Sequence, residues 1–173
     1  MRLPVIRLTQ EALSRFDEAL QKEWLVTNGL GGYASSTVLG INTRKYHGLL
    51  VAALHPPGNR TVCLAKLDEE ICVGSNVYQL GANEFHGAIF PQGYKFLKEF
   101  SVAPFPRYVY TAQGIEVTKT IFMPSGKNAV ATDADRTGWN KGFASAIIPA
   151  QNEQRRLGPL LQWFRERVVS VCC

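Results

Sequence analysis

From Trp24 onward the apolar residues recur with a period of two, and turn-forming residues interrupt them about every 8–12 residues, the rhythm of strands in a sandwich or barrel. Trp24–Thr27 and Tyr33–Leu39 predict short strands on either side of the Asn28-Gly29 break. Tyr46–Leu54 is a continuous apolar run, which suits a buried central strand. Two prolines cannot join a ladder, so His55–Asn59 predicts a loop. Thr61–Leu67 follows as a strand, and Gly74-Ser75-Asn76 between Glu70–Val73 and Val77–Leu80 predicts a hairpin. Pro91-Gln-Gly predicts a turn. Lys95–Val102, Tyr108–Ala112 and Ile115–Phe122 predict strands, the last two joined at Gln113-Gly114, and Asn128–Thr132 begins another. There is no strand–helix–strand alternation and no internal repeat. The expected fold is therefore mainly β, an antiparallel sandwich.

Two segments fall outside this pattern. Residues 9–22 predict one short amphipathic helix, with Leu13, Phe16 and Leu20 on one face and Thr9 or Ser14 as its cap. After Thr132 the period of two stops. Asp133–Gly142 reads as polar and turn-like, and Gln151–Val171 is mostly helix-forming, with Leu157, Leu160, Leu161 and Phe164 on one face. The expected organisation is a helical lead-in (1–22), an incomplete β-sandwich (23–132) and an atypical, helical or disordered tail (133–173). The abrupt change, and the Val-Cys-Cys end, predict a shift of reading frame near residues 131–135. The competing account is a short protein with a helical C-terminal cap.

Hydrophobic residues make up 46% of the chain and charged residues 19%, enough to bury a core. The formal net charge of +5 is spread out, and the longest basic runs are pairs such as Arg44-Lys45 and Arg155-Arg156, which argues against a nucleic-acid groove. No run of 18 apolar residues and no leader-type N-terminus occur, so a soluble cytoplasmic protein with no membrane partner is expected. Of the four cysteines none forms a C-x-x-C pair, and Cys63 and Cys72 are expected as small buried hydrophobes. His55 and His86 lack a partner motif. No metal and no cofactor is expected.

Gly29-Leu-Gly31-Gly32-Tyr-Ala34 matches the dinucleotide fingerprint, but that fingerprint works only where the turn opens a helix onto the pyrophosphate. Ser35-Ser36-Thr37-Val38 favours a strand, and Leu49-Leu50-Val51 stands where the ribose acid belongs. The glycines instead predict positive φ and close backbone packing between strands.

Glu23-Trp-Leu-Val-Thr-Asn-Gly-Leu-Gly-Gly-Tyr-Ala-Ser, continuing into Asn42-Thr-Arg-Lys-Tyr-His-Gly-Leu-Leu-Val-Ala, resembles the opening domain of the bacterial and archaeal glycogen debranching enzymes of the amylo-α-1,6-glucosidase type. Leu64-Ala-Lys-Leu-Asp, Asn83-Glu and Pro91-Gln-Gly-Tyr add to the likeness, which extends from about Phe16 to about Val130. Lys45 stands where a second arginine is more usual, and Ser36 where glycine is common. The resemblance implies a super-β-sandwich coupled to a C-terminal (α/α)6 barrel. That barrel cleaves the α-1,6-linked glucose at a glycogen branch with two carboxylates. The implied partners are the barrel and glycogen or another α-glucan. This chain would then be the non-catalytic domain, cut off before the barrel begins; a free-standing carbohydrate-binding sandwich, or a subunit for a separately encoded barrel, is the alternative.

No catalytic residue is expected here. Asp68-Glu69-Glu70 reads as a solvated corner, Glu116 as a strand acid on a solvent face, and Trp24 as core. The polar residues with a candidate role are Asn28, Arg44, Tyr46 and His47. Arginine and histidine donate to sugar hydroxyls and tyrosine offers a face to a pyranose, so these residues can form a rim facing the barrel. The alternative is a buried polar network at strand ends, with Arg44 on backbone carbonyls and His47 satisfying a turn.

Overall fold

The computed structural model describes residues 5–137 and 144–149. A four-residue strand, β1 (Ile6–Thr9), leads into two short helices, α1 (Gln10–Ser14) and α2 (Phe16–Leu20). The single helix expected over 9–22 is thus broken at Arg15, whose ψ of 78° leaves the helical range. Ser14 Oγ donates to the Glu11 carbonyl, a local bond that competes with helix continuation. Thr9 sits at the helix start without making a side-chain cap bond. The break turns Phe16 onto the Tyr94 ring, 5.0 Å between centroids.

The remaining strands are β2 (Glu23–Thr27), β3 (Tyr33–Thr37), β4 (Gly48–His55), β5 (Gly58–Leu64), β6 (Glu70–Val73), β7 (Asn76–Gln79), β8 (Ala82–Phe85), β9 (Ala88–Gln92), β10 (Leu97–Val102), β11 (Pro106–Ala112), β12 (Ile115–Phe122), β13 (Ala129–Thr137) and β14 (Ala144–Pro149). A six-stranded sheet runs β1-β10-β11-β12-β13-β14 and a four-stranded sheet runs β2-β3-β4-β5, every pair antiparallel. One core joins the inner faces: Trp24, Ala34, Leu50 and Ala52 from the smaller sheet meet Leu97, Phe100, Tyr108, Tyr110, Ile121 and Val130 from the larger. The expected mainly β, antiparallel sandwich is what forms. Hairpins β6-β7 and β8-β9 are two small separate ladders beside it.

Several local expectations are corrected. Only Pro56-Pro57 turns between β4 and β5, so Gly58 and Asn59 belong to a strand and not to a loop. Pro91 and Gln92 end β9, because a proline is tolerated in a two-stranded ladder. The turn follows as a 3-10 segment, Gly93–Phe96. Asp133–Thr137 is strand, paired with β12 from Thr120↔Asp133 to Glu116↔Thr137. Pairing with β12, joined at Asp133 by pairing with β14, outweighs the weak strand propensity of aspartate there. Cys63 is exposed and Cys72 half-buried, since β5 is an edge strand and β6 belongs to a small hairpin. The helix expected over 151–171 and most of the tail lie outside the described residues. Among the described residues no helix is long and apolar enough to cross a membrane.

Candidate functional site

The glycine-rich turn after β2 opens a strand, not a helix. Gly31 has φ +95°, and a Cβ there would lie 2.5 Å from the Pro57 carbonyl oxygen, so the turn packs backbone to backbone against the β4-β5 hairpin. Arg60 Nε donates to the Gly31 carbonyl at 2.8 Å and pins the same contact. This geometry is a packing device and leaves no room for a pyrophosphate.

Asn28 follows the end of β2 and is buried. Its Oδ1 accepts the N–H groups of Leu30 (2.9 Å) and Gly32 (3.0 Å), and its Nδ2 donates to Lys127 O (2.9 Å) and Asn128 Oδ1 (3.0 Å). Asn128 in turn treats Ala53 as a strand neighbour would: Nδ2 donates to Ala53 O at 2.7 Å, and Oδ1 accepts Ala53 N–H at 3.2 Å. Two side-chain amides therefore replace backbone pairing where the sheets meet. Asn128 carries no motif and was not singled out from the sequence.

The other three candidates gather at the opposite end of β2. Arg44 Nε donates to Glu23 Oε1, the residue that opens β2. That bond holds the Glu23 carboxyl below its usual range, against a smaller opposing effect of desolvation. His47 is buried, with Nε2 3.5 Å from the same Glu23 oxygen. Its Nδ1 accepts the Thr43 N–H at 3.1 Å. A backbone N–H can only donate, so Nδ1 is unprotonated and the ring proton sits on Nε2, toward Glu23. Tyr46 is 58% exposed, and its carbonyl accepts the Tyr33 hydroxyl at 3.1 Å. His47 thus satisfies a turn, whereas Arg44 binds a carboxylate and not the carbonyls expected.

Burial lowers the His47 pKa, Glu23 opposes that shift, and Arg44 reinforces it. The folded chain consequently takes up this proton less readily than the unfolded chain. Above the ordinary histidine pKa of about 6.5 both states are neutral and the group costs nothing. As pH falls through that value the unfolded state protonates first, and stability drops. We expect the melting temperature to fall between pH 7 and pH 5, and His47→Asn, whose amide oxygen can still accept the Thr43 N–H, to flatten that slope. Equal slopes for the two proteins, measured by circular dichroism melts, would reject this role for His47.

Register defines the surface around this loop. Leu25 pairs Ser35, Ser35 pairs Gly48, and a Cβ on Gly48 would touch Val62 at 3.1 Å. Cross-strand partners share a face, so Leu25 and Val62 stand on one side of the smaller sheet, away from Trp24 in the core. Leu25 is 60% and Val62 39% exposed. Tyr33 shares the face and reaches Tyr46, while Glu23, two residues before Leu25, brings Arg44 to its edge. Leu25 on β2 and Val62 on β5 are thus exposed apolar residues at the two edges of this face, with the Arg44–Glu23 pair beside Leu25.

Between the sheets a cavity of about 40 Å³ is lined by Tyr110 and by Lys66, Asp68, Glu69 and Lys119. It has room for a water or two and none for a sugar. Asp68 and Glu69 are not a merely solvated corner: Lys66 lies 3.1 Å from Asp68, and Lys119 lies 2.6 Å from Glu69 while donating to Leu67 O. Lys119, mostly buried, comes from β12, so this pair ties the larger sheet to the β5-β6 link. Each of these two acids is matched to a lysine. Glu116 is bonded by Lys98 at 2.8 Å. Among the described residues no three His, Cys, Asp or Glu side chains are placed to hold a metal ion.

One family model, described as glycogen debranching enzyme N terminal, matches residues 22–145. The match reaches beyond Val130, where the resemblance was expected to stop. No curated protein and no solved structure matches the chain.

Proposed function

This chain belongs to the glycogen debranching enzyme N-terminal family, and from that premise we propose that it is a non-catalytic module that docks on the catalytic domain of a cytoplasmic debranching glycosidase. That partner, an (α/α)6 barrel, would carry the two carboxylates that hydrolyse α-1,6 branch points. The observation that supports docking is the exposed pair Leu25 and Val62 on one face of the smaller sheet, with exposed Tyr46 and the Arg44–Glu23 pair in the neighbouring loop, while the opposite face of that sheet fills the core. Exposed apolar and aromatic residues beside an arginine are the kind of surface that protein interfaces favour.

The test pairs the full chain with a debranching-enzyme catalytic domain supplied as a separate polypeptide. Binding is measured by calorimetry and hydrolysis by glucose release from a branched limit dextrin. Docking is expected, with Leu25→Asp and Val62→Asp each weakening it at least tenfold, about 1.4 kcal/mol, without lowering the melting temperature. Affinity unchanged by both substitutions would rule this face out. The second reading, a free-standing glucan-binding sandwich, is favoured if the chain binds glycogen but no catalytic domain.

A further inference from the structure

Hairpins β6-β7 and β8-β9 do more than decorate the sandwich. Between β7, the end of β9 and the 3-10 turn lies an open groove of about 450 Å³, within the range of about 300–1,000 Å³ usual for small-molecule sites. Its apolar surface comes from Val77, Tyr78, Pro91 and Phe96, and its polar surface from Gln79, Gln92 and Lys95. No acidic residue lines it. Tyr78 and Phe96 meet edge to face at 5.8 Å, which fixes both rings. Gln79 Nε2 donates to Glu70 Oε1 at 3.0 Å, which orients the amide and leaves its carbonyl oxygen to accept a hydrogen bond.

We propose that this groove binds a segment of linear α-glucan. A pyranose has an apolar C–H face and a rim of hydroxyls that both donate and accept. The groove offers the complement: rings and a proline for the face, two amides and an ammonium for the rim. Amides suit hydroxyls because each both donates and accepts, whereas a protein partner of opposite charge would call for a row of like charges. The groove is open to solvent, as a site for part of a polymer must be. Assigning the sugar as an α-glucan rests on the debranching-enzyme reading above; the groove's chemistry by itself selects a neutral saccharide. The groove lies on the hairpins, apart from the Leu25–Val62 face, so docking and glucan binding use different surfaces.

The experiment titrates the full chain with maltoheptaose, followed by calorimetry and by amide chemical shifts, with cellohexaose as the control. Saturable binding of maltoheptaose is expected, at least tenfold tighter than cellohexaose, with the shifts centred on residues 77–79 and 91–96. The double variant Gln92→Ala/Lys95→Ala changes only exposed side chains and is expected to weaken binding at least fivefold at an unchanged melting temperature. Tyr78→Leu is expected to abolish it. Wild-type affinity in the double variant and in a folded Tyr78→Leu protein overturns the groove, and so does failure of the wild type to bind. Neither result touches the docking reading, which stands on the catalytic-domain titration. Equal affinity for cellohexaose overturns the choice of α-glucan, and loss of docking with groove binding intact overturns only the docking reading.

Discussion

A chain carrying Gly93→Ala is expected to lose much of its stability, although only one methyl group is added. Gly93 opens the 3-10 turn, and a Cβ there would lie 2.1 Å from both the carbonyl carbon and the carbonyl oxygen of Leu80, and 2.5 Å from Gly81 O. All three are backbone atoms, so no rotamer change relieves the overlap. The turn cannot back away cheaply, because Gly93 N–H donates to Gly81 O at 2.8 Å. We expect a cost at or beyond the upper end of the ~1–3 kcal/mol range for overpacking. In a chain of this size that is roughly 6–12 °C in melting temperature. Gly58→Ala is the control, since an added Cβ there would come no nearer than 3.6 Å to a neighbour, the His55 carbonyl oxygen, an ordinary contact. Similar melts for the two variants would disprove the steric account. Because Gly93 also seats the turn that walls the glucan groove, maltoheptaose binding should fall with it.

Asn128→Ala is expected to be comparably damaging for a different reason. Truncation removes no large apolar surface, but it strips Ala53 N–H and Ala53 C=O of their partners at a residue with no solvent exposure. Each orphaned buried group costs about 1–3 kcal/mol. Asn28 Nδ2 keeps Lys127 O, so its loss is smaller. The sum is on the order of 3 kcal/mol. Asn128→Asp keeps the acceptor but sets a buried carboxylate oxygen against the Ala53 carbonyl, and should be at least as damaging as alanine in thermal melts. An alanine variant within about 2 °C of wild type, less than ~1 kcal/mol, would mean that water has taken over the amide's two bonds.

These two positions show where sequence reading stops. The sandwich was legible because burial on one face writes a period of two, as in Ile115–Phe122, and because β4 is apolar from Leu49 to Leu54. Hairpin β8-β9 was not, since its residues are mostly exposed and carry no such imprint. Strand β1 is a short edge strand with the same handicap. At the site, Arg44, Tyr46 and His47 stood out by side-chain chemistry in one short loop, and they do share a locale. Asn28 was grouped with them from its neighbourhood in sequence, yet β2 carries it to the far end of the sheet. Its true partner, Asn128, is 100 residues away, and nothing local in either segment specifies that meeting. Glu23, which holds Arg44, lay inside the most informative segment without any role to mark it.

Deep in the sandwich, Trp24 Nε1 donates to the Tyr108 hydroxyl, which donates to Thr37 O at 2.9 Å. Trp24 and Thr37 belong to one sheet and Tyr108 to the other. An interface of hydrocarbon alone tolerates sliding, because one close-packed arrangement is worth nearly as much as the next. A directional bond at its centre does not, since displacement by a single pleat would strand a buried hydroxyl and an indole N–H. The relay therefore contributes to alignment more than to strength. The faces that the two sheets present thus keep a fixed relation to one another, as those of a module must if it is to hold a polymer chain for a partner docked elsewhere on its surface.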